Sequence, residues 1–156
     1  MTTAHEKVVA RLAKAGLVFP APAVPVGDYV PATRSGNLVF TSGQLPLRDG
    51  ALYRTGTVGS DVTVDDAVEC ARIAALNALA AASTVCDLDD VSRVLKLIGY
   101  VASASTFVSQ PAVVNGASGV LVAAFGEAGV HAREAVGVSS LPMGAPVEVS
   151  IVLEMR

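Results

Sequence analysis

The spacing of apolar residues along this chain predicts one strongly marked helix at residues 63–82. Thr63 can cap its first turn and Asp66 can reach back to the cap, while Asp65 and Asp66 both suit the positive end of a helix. Its buried stripe would consist of Val64, Val68, Ala71, Ala75, Ala78 and Ala82. Such a flat stripe of small residues is typical of a helix that packs onto a sheet.

Two further helices are predicted, one on each side of this helix along the chain. Residues 2–16 carry apolar side chains at helical spacing, and Gly16 is suited to end that helix. Another long helix is predicted to begin at Pro111 and to end between Gly126 and Gly129. Its buried side would consist of Val113, Ala117, Val120, Leu121, Ala124 and Phe125.

Alternating apolar positions and turn residues predict the strands. Residues 29–34 and 38–42, joined by Ser35-Gly36-Asn37, form a candidate β-hairpin, and a short third strand is expected within residues 47–57. A long strand is predicted at residues 89–104. The C-terminal segment, residues 131–155, predicts two strands joined by a loop rich in Ser, Pro and Gly.

The order of these elements, β-β-β-α-β-α-β-β, defines an α+β fold with both long helices on one face of the sheet. We expect this α+β domain to occupy residues 26–156. Residues 1–25 would hold the N-terminal helix and a connector, which is extended because residues 19–31 contain four prolines.

Composition narrows the class of partner. Apolar residues make up 52% of the chain and charged residues only 16%, with a net charge of −3. Because the chain has no basic run to neutralise phosphates, nucleic acid is not expected as its main partner. The sparse surface charge predicts instead that part of the apolar surface lies in an interface between copies of the chain.

The sequence also predicts where the protein resides. The apolar stretches at 71–85 and 113–125 contain polar residues and are shorter than the roughly 18 residues of a membrane span, so no membrane association is expected. The N-terminus lacks the apolar core of a signal peptide. Cys70 and Cys86 lie too far apart on or beside one helix to form a disulfide, which predicts reduced core thiols and a cytoplasmic protein.

Arg133 and Glu148 are the two charges that interrupt the C-terminal strands. On an alternating strand, Arg133 shares a face with Ala135 and Gly137, which leaves room for a small carboxylate, while Glu134 points to the other face. The alternative is an ordinary ion pair. Glu148 could orient a water molecule or transfer protons, and its alternative is an edge or interface salt bridge. A simple hairpin would place Glu148 opposite Gly137, so whether the two charges meet within one subunit stays open.

Other polar residues carry weaker signals. Tyr29 can be a packing residue, Ser42 a turn hydroxyl and Asn115 a solvated helix residue. His5 and His131 have no Cys or carboxylate at metal-ligand spacing, so no metal site is expected. The sequence has no phosphate-binding loop and no nucleophile elbow. From these residues alone, we predict a small α+β domain with one candidate anion site.

Three segments of the chain resemble one known family. They are Gly27-Asp-Tyr-Val with Gly36-Asn-Leu-Val-Phe-Thr-Ser-Gly-Gln-Leu-Pro; Val114-Asn115; and Ala132-Arg133 with Leu141-Pro and Val147-Glu148-Val. In order and spacing, over residues 26–155, they are similar to the RidA/YjgF/UK114 family of reactive-intermediate deaminases. The resemblance implies a chorismate-mutase-like fold with a mixed sheet, assembled as a homotrimer around a central barrel with three pockets between neighbouring subunits.

The resemblance also implies an activity: hydrolysis of enamine and imine intermediates, such as 2-aminoacrylate, to 2-keto acids and ammonia, without cofactor or metal. Arg133 would bind the substrate carboxylate and Glu148 would position the attacking water. Tyr29, Ser42 and Gly43 would line the pocket, Asn115 would support it, and Ala135 stands where the best-known members carry a cysteine.

The chain departs from the family pattern beside the arginine. His131 and Glu134 replace small residues or proline, and a bulge at Glu134 would weaken anion binding at Arg133. These departures keep a second interpretation open, a trimer that binds small carboxylates without turnover or serves a regulatory role. A third, the ribonuclease or translation inhibitor of older family labels, is disfavoured because the chain is acidic.

Overall fold

A computed structural model describes residues 4–156 of the chain. The helices are α1 (Glu6–Lys14), α2 (Val64–Ala82) and α3 (Gln110–Phe125), and short 3-10 turns span Leu88–Asp90, Gly126–Gly129 and Pro142–Gly144. The strands are β1 (Ala32–Ser35), β2 (Leu38–Thr41), β3 (Leu47–Arg48), β4 (Ala51–Leu52), β5 (Val91–Ala102), β6 (Ala132–Val138) and β7 (Val147–Met155). The predicted α+β fold is confirmed, and the first residues of the predicted N-terminal helix lie outside the described residues.

Five strands form a mixed sheet in the order β1-β2-β7-β5-β6. β5 and β6 run parallel, as expected for strands joined by a helix, and the other neighbours are antiparallel. The predicted third strand does not enter this sheet. Instead, β3 and β4 form a separate two-stranded hairpin.

The two C-terminal strands are not paired with each other, so the simple hairpin arrangement is wrong. β6 pairs with one edge of β5 and β7 with the other. The crossover through α3 places β6 parallel to β5 along one of its edges. The antiparallel β7 therefore pairs with the other edge of β5. As a result Arg133 lies beside Leu97, whereas Glu148 lies beside Tyr100 on the other side of β5.

The N-terminal hairpin is confirmed with a shorter first strand. β1 begins at Ala32 rather than at residue 29, because the preceding Pro31 has no N–H to donate to a ladder. Gly36 in the turn adopts a positive φ of 58°, which a glycine tolerates without steric cost.

The predicted cap of α2 is half confirmed. The Thr63 side chain accepts a hydrogen bond from the Asp66 N–H at 3.1 Å, but the Asp66 carboxylate pairs with Arg54 at 3.4 Å instead of reaching back. α2 is buried on more sides than one stripe, because α3 packs closely against it. At the contact, a Cβ added to Gly116 would lie only 2.3 Å from the Val68 carbonyl oxygen.

α1 is anchored to the domain by two apolar side chains and two carboxylates, one of which, Asp87, accepts a hydrogen bond from the His5 N–H at 3.1 Å. Asp89 accepts hydrogen bonds from the Lys7 and Val8 N–H groups, both at 3.0 Å, and so satisfies the first turn of α1 from another part of the chain. Val8 and Leu12 are fully buried in the common core. The helix ends as predicted, with Gly16 at a φ of 74°.

Residues 110–129, which comprise α3 and the turn after it, are the one helical segment among the described residues that is long and apolar enough to cross a membrane, with a mean hydropathy of 1.3. Half of the segment is buried inside the domain. Core helices pass the same test of length and composition, and the packing of α3 against α2 and β5 accounts for its apolar character.

Both cysteines are free thiols, as predicted. Cys70 is buried and Cys86 is half-buried. Burial raises the pKa of the Cys70 thiol to about 12 and that of Cys86 to about 11, so both are protonated and unreactive at neutral pH.

Candidate functional site

The side of the sheet covered by α2 and α3, here called the helix face, carries Arg133. Arg133 lies beside Leu97 and alternates with Ala135, which lies beside Gly99. α3 lies so close over this row that a Cβ added to Gly99 would be 2.6 Å from the Val114 side chain. The Arg133 side chain therefore extends from the edge strand β6 to α3.

Two side chains contact the Arg133 guanidinium and a third contacts one of these two, and together the four residues form what we call the arginine cluster. Arg133 Nη1 donates to Asn115 Oδ1 at 2.6 Å and to Ser118 Oγ at 3.2 Å. Ser118 Oγ in turn lies 3.0 Å from His131 Nε2. Asn115 and Ser118 are one turn apart on α3, so both face the same edge of the sheet.

The charge of Arg133 is not neutralised by any carboxylate among residues 4–156. Its partners there are an amide oxygen and a hydroxyl, both neutral. Glu134, next in the chain, points to the opposite side and pairs with Lys96 at 2.5 Å. The predicted alternation along β6 is thus confirmed, and the adjacent acid does not occupy the guanidinium.

The uncovered side of the sheet, here called the open face, carries Glu148. Along β7 the residues that alternate with Glu148, beginning with Val147 and Val149, are buried under the helices. Glu148 is half-buried and lies beside Tyr100 of β5. Burial raises the pKa of the Glu148 carboxyl above its usual value, because the charged form loses hydration.

A β-bulge brings the end of β2 to Glu148. Phe40 pairs with Val152 and Gln44 with Val149, so β2 has one more residue than β7 between these two pairs. The extra residue brings Gly43 against the carboxylate. A Cβ added to Gly43 would lie 2.0 Å from Glu148 Oε1, so a larger residue here would displace the carboxylate from this position.

Ser42, which precedes Gly43, binds the Pro-rich connector through two hydrogen bonds. Its hydroxyl donates to the Val30 carbonyl at 2.7 Å, and its N–H donates to the Pro31 carbonyl at 2.8 Å. These two bonds hold the segment that carries Tyr29, whose side chain is 52% exposed. We call Glu148, Gly43 and Ser42 the glutamate cluster; among the described residues, no hydrogen bond or ring contact links Tyr29 to it.

Apart from Tyr29, the predicted site residues therefore fall into two groups on opposite faces of one sheet. Arg133, Asn115 and Ala135 belong to the helix face, and the glutamate cluster belongs to the open face. Ala135 packs against the core and lies on the same face as Arg133. Within one chain, Arg133 and Glu148 do not converge, which answers for the single chain the question that the sequence left open.

Sequence reasoning missed Ser118 and the part played by His131. The spacing could have identified Ser118, because it follows Asn115 by three residues on a predicted helix and so lies on the same face. It also missed Asn77, whose buried amide donates to the Leu45 and Leu47 carbonyls at 2.9 Å and so holds the loop that follows the bulge.

A cavity of about 280 Å³ lies elsewhere, under α1, and shares no residue with either cluster. Arg11 and Arg156 line it, but each donates to a backbone carbonyl, of Ala124 and of Asp89 respectively. The other walls are mostly core side chains such as Val8 and Phe125. Arg11 joins α1 to α3 here, and Arg156 joins the end of β7 to the turn at Leu88–Asp90, so both guanidinium groups are engaged within the domain.

Comparison with known proteins identifies the family of this chain. Residues 9–155 match the family model described as "YjgF/chorismate mutase-like, putative endoribonuclease". The match covers nearly the whole chain, α1 included from residue 9. This protein belongs to the YjgF/chorismate mutase-like family, so the resemblance drawn from its sequence motifs is confirmed.

Three relatives illustrate the match. The chain is 42% identical to Protein TCP17 of Trypanosoma cruzi over 155 residues, which is 98% of this chain and 97% of that protein. The crystal structure of Atu1372 from Agrobacterium tumefaciens, a protein of unknown function, has 44% identity and a TM-score of 0.89, covering 97% of this chain and 94% of that one. A Shewanella oneidensis structure that carries the endoribonuclease name has 32% identity and a TM-score of 0.90, covering 95% and 99%.

Proposed function

We propose that this protein hydrolyses small enamines and imines that carry a carboxylate, such as 2-aminoacrylate, to the 2-keto acid and ammonia. The enamine first tautomerises to the imine. Water then adds to the imine carbon, and the C–N bond of the resulting carbinolamine breaks as the nitrogen takes up a proton and leaves as ammonia. The reaction consumes one water and needs no redox partner.

The observation that carries this proposal is the guanidinium of Arg133. It is held between α3 and β6 by neutral groups, without a carboxylate partner among the described residues. A held but unneutralised guanidinium is suited to bind a carboxylate through two charge-assisted hydrogen bonds. The arginine would fix the carboxylate of the substrate and so place the adjacent imine carbon for attack.

Glu148 would act as the acid–base group. Its raised pKa suits a carboxyl that takes a proton from the attacking water and later returns it to the leaving nitrogen. Gly43 keeps space beside the carboxylate, and Tyr29 and Ser42 would close the pocket on the side of the connector.

We propose further that the active site is shared between subunits of a homotrimer. Arg133 and Glu148 lie on opposite faces of the sheet, so a pocket with both charges requires two copies of the chain. The open face also exposes apolar side chains, with Phe40 44% and Val136 43% exposed, which suit a subunit interface. A closed ring joins two different patches of each subunit, here the β6 edge and the open face.

A second function is favoured by the same separation of charges. If the subunits do not bring Glu148 to Arg133, the arginine cluster alone would serve as a binding site for small carboxylates, in a regulatory trimer without turnover. The endoribonuclease name belongs to the relatives, and we do not extend it to this chain, which has 14 acidic against 11 basic residues. The two free thiols support a reducing, cytoplasmic location.

The direct test is hydrolysis of imines formed in situ. Several amino acids would be converted to their 2-imino acids, and release of the 2-keto acid would be followed with native protein and with Arg133→Ala. We expect native protein to accelerate release and Arg133→Ala to lower kcat/KM by about 10²-fold or more, since the carboxylate loses its bidentate partner.

Two variants control this test. Arg133→Lys keeps the positive charge but lacks the planar guanidinium group. Its kcat/KM is therefore expected to lie between that of native protein and that of Arg133→Ala. Arg34→Ala removes an exposed arginine from β1 and should behave as native protein. No acceleration with any imine would refute hydrolysis of these substrates and leave carboxylate binding as the function.

Gly43→Ala is expected to lower kcat by at least about tenfold while leaving the fold intact. The new methyl group would meet Glu148 Oε1, the end of a flexible side chain, so the carboxylate moves rather than the backbone. The matched control is Gly119→Ala on α3, where a Cβ meets nothing within 4 Å. Equal rates for Gly43→Ala and native protein would show that the position of Glu148 is not critical.

A further inference from the structure

The geometry points to His131 and Ser118 as positioning residues, which lock the Arg133 guanidinium so that it binds a carboxylate through one particular edge. This inference rests on the proposed carboxylate site, and it assigns a role to the residue that departs from the family pattern beside the arginine. It concerns the hydrogen-bond chain that runs from the Gly129 carbonyl through His131 and Ser118 to Arg133.

The direction of these hydrogen bonds follows from the bond between His131 and the Gly129 carbonyl. His131 Nδ1 lies 2.5 Å from the Gly129 carbonyl oxygen, which can only accept, so Nδ1 carries the ring proton in the neutral imidazole. Nε2 is then an acceptor, and the Ser118 hydroxyl donates to it across 3.0 Å. The lone pairs of Ser118 Oγ are thereby turned to Arg133 Nη1 at 3.2 Å.

The hydrogen bonds to Arg133 Nη1 determine which edge of the guanidinium remains available to a ligand. Nη1 has two N–H groups, and Asn115 and Ser118 take one each. Among the described residues, no partner engages Nε or Nη2. These two atoms form the side-on edge of the guanidinium, where both N–H bonds point the same way and match the two oxygens of a carboxylate.

Without the histidine, the serine hydroxyl would lose its fixed orientation. A hydroxyl rotates to suit its surroundings, and His131 Nε2 is the acceptor that holds its proton away from the guanidinium. His131 therefore acts on the ligand through Ser118, and Ser118 acts through Arg133. Neither residue needs to touch the substrate.

The experiment measures the dissociation constant of pyruvate, a small 2-keto acid, by NMR titration of the full chain. Ser118→Ala is expected to weaken binding about fivefold to tenfold, and His131→Leu by a similar factor. Ser118→Thr keeps the hydroxyl and His131→Gln keeps an acceptor, so both should restore most of the affinity. Ser105→Ala, at an exposed turn, is the matched control.

The double variant tests whether the two residues act in series. If His131 acts through Ser118, the combination of Ser118→Ala with His131→Leu should bind pyruvate no more weakly than Ser118→Ala alone. In the imine assay the single variants should raise KM with little change in kcat, because the carboxylate contact serves binding. A purely structural role would instead lower the melting temperature and leave the affinity of the folded protein unchanged.

The outcomes separate this inference from the proposed reaction. Pyruvate binding that depends on Arg133 and Ser118, in a protein that hydrolyses no imine, would support the lock and refute the reaction. Unchanged pyruvate affinity in Ser118→Ala would overturn the lock, whatever the imine assay shows. Unchanged affinity in Arg133→Ala would overturn both.

Discussion

Replacement of Glu148 by Gln is expected to lower kcat for imine hydrolysis by about 10²-fold to 10⁴-fold while pyruvate still binds at Arg133. The amide fills the same space beside Gly43 but cannot accept a proton from water. The loss should therefore fall on kcat rather than on affinity. Steady-state kinetics and pyruvate titration of the same preparation measure the two effects separately.

The pH dependence of imine hydrolysis by the native protein provides the second half of this prediction. Glu148 accepts a proton only when it is ionised, and burial raises its pKa above the usual value of a glutamate. The rate should consequently fall on acidification, at a pH above the ordinary glutamate range, and this acidic limb should be absent from any residual activity of Glu148→Gln.

Glu154→Gln is the matched control for Glu148→Gln. It lies on the same strand and the same face, six residues further along β7, without Gly43 or the bulge beside it. It should retain the native rate and the native acidic limb. A Glu148→Gln protein as active as Glu154→Gln would remove Glu148 from the mechanism and require another base.

The parts of this fold that were predictable are those whose signal is local. Thr63 caps α2 because a hydroxyl at that position reaches the third N–H of the helix, and Gly16 ends α1 because glycine tolerates a positive φ. The alternation that separates Arg133 from Glu134 follows from strand geometry alone. Each of these depends on a few neighbouring residues.

The parts that were not predictable depend on contacts distant in sequence. Nothing local shows that β5 lies between β6 and β7, because edge selection is decided by the crossover through α3. The bulge that brings Gly43 to Glu148 likewise arises from pairing between β2 and β7. The sequence pattern indicated an isolated histidine at His131, because its hydrogen-bond partner, Ser118, lies on a different element.

The candidate site was predictable in its residues but not in its arrangement. The motifs named Arg133 and Glu148, and the family model confirms the membership that those motifs suggested. Only the sheet shows that the two charges occupy opposite faces of one chain. Because of that separation, the proposed site has to take Arg133 from one subunit and Glu148 from another. This prediction can be tested without a structure of the oligomer.

Mixing two inactive variants is expected to restore activity. In a ring where each site takes Arg133 from one subunit and Glu148 from its neighbour, Arg133→Ala and Glu148→Gln subunits combine to form some sites with both native residues. Selection for both variants keeps only mixed rings, and each mixed trimeric ring has such a site at one of its three interfaces, hence about a third of the native rate. The variants would be co-expressed with different tags and purified through both.

The control mixes Arg133→Ala subunits with the Arg133→Ala, Glu148→Gln double variant, which should stay inactive because no subunit supplies the arginine. Recovery only in the first mixture would show that one site draws on two chains, a result that no arrangement within a single chain can produce. Failure to recover in mixed oligomers, with active native protein assembled in the same way, would contradict the shared site. The two charges would then have to meet within one subunit, which requires one of them to cross from its present face of the sheet.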